Sequence, residues 1–176
     1  MTNTAEPAIQ LLFDAASIRE GVEKLGNALH EDVSEDLLLV SLLSESVVFV
    51  ADLVRAIRSP VRFEFIQVDV STQGGAEEIM QIEYPIPFEL EGSDLILVRD
   101  LTTSGVIEGY LVTQFQQLGA RRVRVVSLLD LPERRTTDFE PDYRLLTRSG
   151  EVGTLVGYGL KHGGRFGNLP YIGQLQ

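Results

Sequence analysis

The sequence has no cysteine, and it has only two histidines among its 176 residues. Without thiols the chain forms no disulfide and no thiolate zinc site, and His30 and His162 are too few for a histidine metal cluster. A bound metal would therefore be a magnesium-like ion held by oxygen ligands.

Basic residues are also scarce. The chain has 15 Lys and Arg against 26 Asp and Glu, a net charge of -11. This excess of negative charge argues against non-specific binding to nucleic acid or to an anionic membrane. The basic stretch Arg121–Arg124 has the alternating spacing of a solvated strand entry. A phosphate-binding site would have to be local and attract its anion despite the negative charge of the whole chain.

Long apolar runs are absent as well. No run approaches the roughly 20 residues needed to cross a bilayer, and the amino end lacks a basic segment followed by an apolar core. We therefore expect a soluble, cytoplasmic protein that does not bind membranes. With 176 residues, 44% of them hydrophobic, the chain predicts one compact domain over residues 1–176.

Hydrophobic periodicity predicts alternating strands and helices. Ser17 and Glu20 form a capping-box pattern, so the first helix is predicted to begin near Ser17. Further helices are predicted over Val47–Ile57 and Gly105–Leu118. Strands are predicted over Leu37–Leu43, Val61–Val70, Ile79–Tyr84, Leu95–Val98 and Arg122–Leu129. The glycine-rich tail from Leu155 predicts a short strand and irregular backbone. The order strand, helix, strand predicts an α/β fold with right-handed parallel crossovers.

The segment VRDLTTSGVI, residues 98–107, lies where a strand gives way to a helix. Such junctions in α/β sheets often bind anions, because free helix amides point outward there. Gly105 allows close backbone approach and Ser104 supplies a hydroxyl, although the same pattern is typical of a plain helix cap. Arg99 has two interpretations, as an anion contact or as the partner of Asp100, Asp130 or another nearby acid.

Three longer segments carry a resemblance to a known family. They are LLLVSLLSESVVFVADLVRAI, LILVRDLTTSGVIEGYLVTQFQQLGARRVRVVSLLDLPERR and LVGYGLKHGGRFGNLPYIGQL. In the order and spacing of these segments, the whole chain resembles the hypoxanthine-guanine phosphoribosyltransferases. The resemblance implies the type I phosphoribosyltransferase fold, a parallel sheet flanked by helices with a small hood made from the chain ends. It also implies transfer of ribose 5-phosphate from phosphoribosyl pyrophosphate to a purine with Mg²⁺, and a homo-oligomer, a dimer or tetramer.

The family motif E-D-x-x-D-(T/S)-G-x-T falls on residues 99–107 and matches at Asp100, Ser104 and Gly105. The first acid, which engages the ribose, is replaced by Arg99. The acid thought to act as base on the purine is replaced by Thr103, which does not ionise near neutral pH. The resemblance still implies a phosphate-binding segment comprising Thr102, Thr103, Ser104, Gly105, Val106 and Ile107.

Other positions carried over from the family are also changed. The Leu-Lys-Gly turn that binds pyrophosphate corresponds to Leu43, Ser44 and Glu45, and its arginine partner falls at Gly167, close to Arg165. The purine-pocket positions correspond to Leu131, Thr154, Leu155 and Lys161. Lys161 replaces the magnesium-binding acid, so the Mg²⁺ that the family uses is in doubt here. The mobile lid, which usually carries a Ser-Tyr pair, corresponds to Val70 and Ser71.

These substitutions favour an impaired or inactive phosphoribosyltransferase that acts as a module binding a purine nucleotide or phosphate, or as a regulatory module. One alternative is an active purine phosphoribosyltransferase that uses Asp100 for Mg²⁺ with support from Asp130 or Glu45. Another is a structural subunit whose pocket is closed by Leu131, Leu146 and Leu155.

Overall fold

The computed structural model describes residues 7–32, 37–43, 46–73, 76–83 and 89–176, with side chains for all of these except 32, 71–73 and 76–83. It contains three α-helices, nine strands and one 3-10 turn within those ranges. The helices are α1 (Ala15–Asp32), α2 (Val47–Ala56) and α3 (Val106–Gln117), and the 3-10 turn spans Pro132–Arg134.

The main sheet has six strands in the order β4-β3-β2-β5-β6-β7. Five of them run parallel, and β4 pairs antiparallel with β3. Their bounds are β2 Leu37–Leu42, β3 Arg62–Gln73, β4 Ala76–Glu83, β5 Asp94–Thr102, β6 Arg122–Asp130 and β7 Tyr143–Thr147. The predicted parallel α/β architecture is confirmed.

Apolar side chains cover both faces of the central strands, as parallel sheets require. On one face Ile96 and Val98 of β5 pack in a core with α1 and α2, which contribute Leu29 and Phe49 among others. On the other face Leu95 and Leu97 of β5 pack with Leu111 and Phe115 of α3. The sheet is therefore fixed from both sides, and its carboxyl edge is left to carry a site.

A separate three-stranded sheet joins the two chain ends in the order β1-β9-β8. Its strands are β1 (Ile9–Phe13), β8 (Leu155–Val156) and β9 (Ile172–Leu175), and all its pairings are antiparallel. This sheet is the hood that the family resemblance predicts.

The amino end of α1 differs from the prediction. The helix begins at Ala15, and the Ser17 amide donates to Oδ1 of Asp14 at 2.7 Å. This hydrogen bond lowers the pKa of the Asp14 carboxyl. The helix thus begins two residues before the predicted position near Ser17, because Asp14, three residues before Ser17, accepts from the first-turn amide.

The strands near the site are longer than predicted. β5 continues past Val98 to Thr102, so Arg99 and Asp100 belong to the strand and not to the loop. β3 likewise runs through Val70 and Ser71 to Gln73 and pairs with β4, so the lid positions lie in a β-ribbon. β1 and β7 were not predicted, and the tail contains two strands, β8 and β9, where one short strand was predicted. Among the described residues, no helix combines the length and apolarity that crossing a membrane demands.

Replacing Gly157 by alanine tests how the hood is fixed. Gly157 has φ +97°, and a Cβ there would lie 1.9 Å from the carbonyl oxygen of Tyr171. We expect Gly157→Ala to lower the free energy of unfolding by about 2–4 kcal/mol, since left-handed strain and a backbone clash combine. The matched control is Gly163→Ala, which has φ +58° and no atom within 4 Å of its Cβ. Urea unfolding followed by circular dichroism should show a clearly smaller loss for the control, and equal losses would contradict the clash.

Candidate functional site

A cleft of about 760 Å³ lies at the carboxyl end of β5, between the main sheet and segments that lead into and out of the hood strand β8. The sheet side contributes Arg99, Asp100, Leu101 and Thr103, and the 3-10 turn contributes Arg134. The other side is lined by Val152, Gly153, Thr154, Leu155, Gly159, Leu160 and Lys161. The position agrees with the rule that ligands of open α/β sheets bind beyond the carboxyl ends of the strands.

Asp100 is the acid in this cleft that matches the family motif. It is buried, and its own backbone amide donates to the Ser46 hydroxyl at 3.1 Å. Its carboxylate oxygen Oδ1 accepts a hydrogen bond from the Leu101 amide at 2.8 Å. Ser46 immediately precedes α2, so the hydrogen bond between the Asp100 amide and the Ser46 hydroxyl joins the start of α2 to the main chain near the end of β5.

Arg99 forms a buried ion pair with Glu108 in the first turn of α3. Its Nε lies 2.7 Å from Oε1 of Glu108, and the two side chains are only 7% and 3% exposed. The interpretation of Arg99 as the partner of a nearby acid is thus confirmed. A carboxylate behind the cleft wall already balances its charge, which makes Arg99 a weak candidate for the main anion contact.

The residues of the predicted phosphate-binding segment do not all face the cleft. Of residues 102–107, Thr103 lines the cleft, whereas the Thr102 hydroxyl turns away and donates to Ser127 Oγ of β6 at 2.8 Å. Ser104 Oγ accepts from the Val106 amide at 3.3 Å. Gly105 has φ +83°, and a Cβ there would lie 2.6 Å from Thr137 Oγ1.

The turn is also held from outside. The Ser104 carbonyl accepts from the Thr136 amide and the Thr137 hydroxyl, both at 3.1 Å, and the Thr103 carbonyl accepts from Arg135 Nη1 at 2.7 Å. The segment after the 3-10 turn therefore packs against the back of the loop. Gly105 and Val106 face a second cavity on that outer side.

Asp130, considered as a support for Mg²⁺, is not among the described residues that line the cleft. It is fully buried, pairs with Arg135 and lies 3.8 Å from Arg144 Nη1. Leu131, placed in the purine pocket by resemblance, is buried in the main core and is not part of the cleft wall. Its amide donates to the Thr102 carbonyl at 3.0 Å, which keeps the chain close to β5 as it leaves β6.

Of the other positions taken from the family resemblance, some line the cleft and others do not. Thr154, Leu155 and Lys161 line the cleft, as the resemblance implies. Arg165 is exposed in a tight backbone turn with His162 and lies outside the cleft lining. Ser44 and Glu45 lie outside the described residues. Leu146 packs against the core, and the cleft is open, so the closed-pocket alternative is not supported.

Two features, one in the cleft and one outside its lining, were missed in the sequence analysis. Arg134 lines the cleft and donates to the Val152 carbonyl. The Tyr158 hydroxyl donates to Oδ2 of Asp52 at 2.6 Å, and burial raises the pKa of this phenol, so it stays protonated at physiological pH. This bond ties the hood to α2. Long-range pairs of this kind leave no local sequence signal.

The cleft does not fit a Mg²⁺ ion well. Mg²⁺ prefers carboxylate and water oxygens in octahedral geometry. Of the described lining residues, Asp100 is the one with a carboxylate, and Arg134 and Lys161 share the same space. Within the described ranges no group of three or more His, Asp or Glu side chains is placed to hold a metal. The cationic side chains would repel a divalent ion.

A parallel sheet covered by helices, a hood built from both chain ends and a cleft beside the turn after β5 together define a type I phosphoribosyltransferase. No protein-family model matches the chain. The hypoxanthine-guanine phosphoribosyltransferase of Streptococcus pneumoniae R6 is 31% identical over 169 residues, 95% of this chain and 93% of that protein. The enzyme of the same name from Bacillus subtilis is 30% identical over 171 residues, with the same coverage.

Solved structures agree with these relatives. A hypoxanthine phosphoribosyltransferase from Staphylococcus aureus superposes with a TM-score of 0.86 at 26% identity, covering 95% of this chain and 91% of that one. A hypoxanthine-guanine phosphoribosyltransferase from Bacillus anthracis gives 0.83 at 26% identity, covering 97% and 99%. The chain belongs to the hypoxanthine-guanine phosphoribosyltransferase family.

Proposed function

We propose that the cleft binds a purine nucleotide or its phosphoribosyl part. The observation that carries this proposal is the shared cleft itself: Asp100 and Thr103 from the sheet face the same space as Thr154, Leu155 and Lys161. A volume of about 760 Å³ is in the range of small-molecule sites. Hydroxyls, a carboxylate and cationic groups around one space suit a phosphorylated sugar with a base attached.

The relatives favour purine phosphoribosyl transfer as the reaction. In that reaction hypoxanthine or guanine and phosphoribosyl pyrophosphate give a nucleotide and pyrophosphate. Curated relatives about as long as this chain carry the name of that enzyme. Asp100, held by Ser46 and Leu101, is the acid that a retained reaction would use to contact the sugar.

The residues of the cleft favour a second form of the same function, in which binding persists and turnover is slow. Thr103 stands where the family has its base, and a hydroxyl does not accept a proton near neutral pH. The Arg99–Glu108 pair occupies the wall where the family has an acid. Loss of a positioned general base costs about 10²–10⁴ in rate. Such a protein would act as a nucleotide-binding or regulatory module. For both the active and the slow form we propose a homo-oligomer.

Paired binding and turnover measurements separate these two forms. We expect calorimetric titration with inosine and guanosine monophosphate to show binding, and Asp100→Asn to weaken it. We expect nucleotide formation from hypoxanthine or guanine to run about 10²–10⁴ below that of the Bacillus subtilis relative assayed alongside. A rate within tenfold of the relative would establish the active enzyme. No heat of binding at millimolar nucleotide would remove both forms.

A further inference from the structure

The cleft is locally cationic in an acidic chain. Among the described residues, Arg99, Arg134 and Lys161 line it together with the acid Asp100. Arg99 is already paired with Glu108, so Arg134 and Lys161 are the cationic groups that share the described lining with Asp100. The whole chain has a net charge of -11, so basic residues are more frequent in the described lining of the cleft than in the chain as a whole. A local positive field attracts anions and repels divalent cations.

Cationic side chains and a metal ion are alternative ways to offset phosphate charge. A ligand with a diphosphate can be neutralised by Mg²⁺ held on protein carboxylates or by Arg and Lys side chains directly. Lys161 projects from the segment that follows β8, and Arg134 is positioned by its bond to the Val152 carbonyl on the same wall. Both side chains therefore line the same cleft as Asp100 and Thr103.

We infer that this cleft takes its phosphorylated ligand as the free anion, without a divalent metal ion. The inference rests on the proposed function, because it concerns the same cleft. Lys161 and Arg134 supply the positive charge, and the ligand class is a sugar or inorganic diphosphate bearing several negative charges. Mg²⁺ weakens binding, since it pairs with the diphosphate and reduces the charge available to the protein.

Calorimetric titrations with phosphoribosyl pyrophosphate, inorganic pyrophosphate and inosine monophosphate, each in EDTA and in excess Mg²⁺, test the inference. For the two diphosphates we expect tighter binding in EDTA. Lys161→Asp should weaken their binding in EDTA about tenfold, because a cation facing the anion is replaced by a like charge. Circular dichroism and urea unfolding of the same variant check that the fold is intact.

The matched control is Arg58→Asp, the same reversal of charge at a different place. Arg58 is exposed between the end of α2 at Ala56 and the start of β3 at Arg62, at the amino edge of the sheet. The reversal there changes the net charge equally, and we expect binding within about twofold of wild type. An equal loss in both variants would attribute the effect to overall charge and overturn the cleft assignment.

The outcomes separate this inference from the proposed function. If the diphosphates bind only with Mg²⁺, or more tightly with it, metal-free binding is wrong while the nucleotide cleft stands. If none of the three compounds binds in either buffer, the proposed function fails as well. Tighter binding in EDTA together with loss in Lys161→Asp alone supports the inference.

Discussion

Replacing Glu108 by leucine is expected to lower the free energy of unfolding by about 3–5 kcal/mol, the usual cost of removing one partner of a buried ion pair. The substitution leaves the Arg99 guanidinium, whose side chain is 7% exposed, without the carboxylate 2.7 Å from its Nε. Leucine keeps helix propensity at this position in α3, so the loss reports on charge and not on the helix. Urea unfolding followed by circular dichroism measures it.

The double variant Arg99→Met with Glu108→Leu is the control. Removing both charges together leaves two apolar side chains of similar length in a buried place, so we expect stability within about 1–2 kcal/mol of wild type. The difference between the single and double variants then gives the coupling energy of the pair. If Glu108→Leu costs no more than the double variant, the ion pair does not hold the end of β5 to α3.

Much of the architecture could be predicted because the hydrophobic period changes clearly along the chain. Leu37–Leu42 reads as a strand buried on both faces, and Phe49, Leu53 and Ile57 recur at the spacing of a helix; the structure buries all of them. β1 was missed because only its position in the hood, paired with β9 from the other chain end, makes it a strand. Its sequence IQLLF carries no distinct alternation of its own.

The contacts of the site could be predicted only in part, because they depend on where β5 ends. Side chains of a strand alternate between its two faces. Leu95 and Leu97 face α3, so Arg99 continues that face and meets Glu108. If the strand stopped at Val98, as the sequence predicts, the alternation would not extend to Arg99 and would not place it near Glu108. The family resemblance nevertheless implied that Asp100, Thr103 and Lys161 share one cleft, which no local pattern shows.

Restoring the family's acids to the loop is expected to raise purine phosphoribosyl transfer about 10²–10⁴-fold, the usual contribution of a positioned general base. Arg99→Glu by itself would place a second carboxylate against buried Glu108, and the repulsion would destabilise the fold. The test variant therefore combines Arg99→Glu and Thr103→Asp with Glu108→Leu. Formation of inosine monophosphate from hypoxanthine and phosphoribosyl pyrophosphate measures the gain.

The reference for this gain is Arg99→Glu with Glu108→Leu, which has the rebuilt wall but keeps Thr103. A rise that appears only when Thr103→Asp is added identifies position 103 as the main block to turnover. A folded triple variant that is no faster than its reference would contradict that view. The barrier would then lie with the cationic wall at Arg134 and Lys161, and Lys161→Asp in the triple background, assayed with Mg²⁺, would be expected to release it.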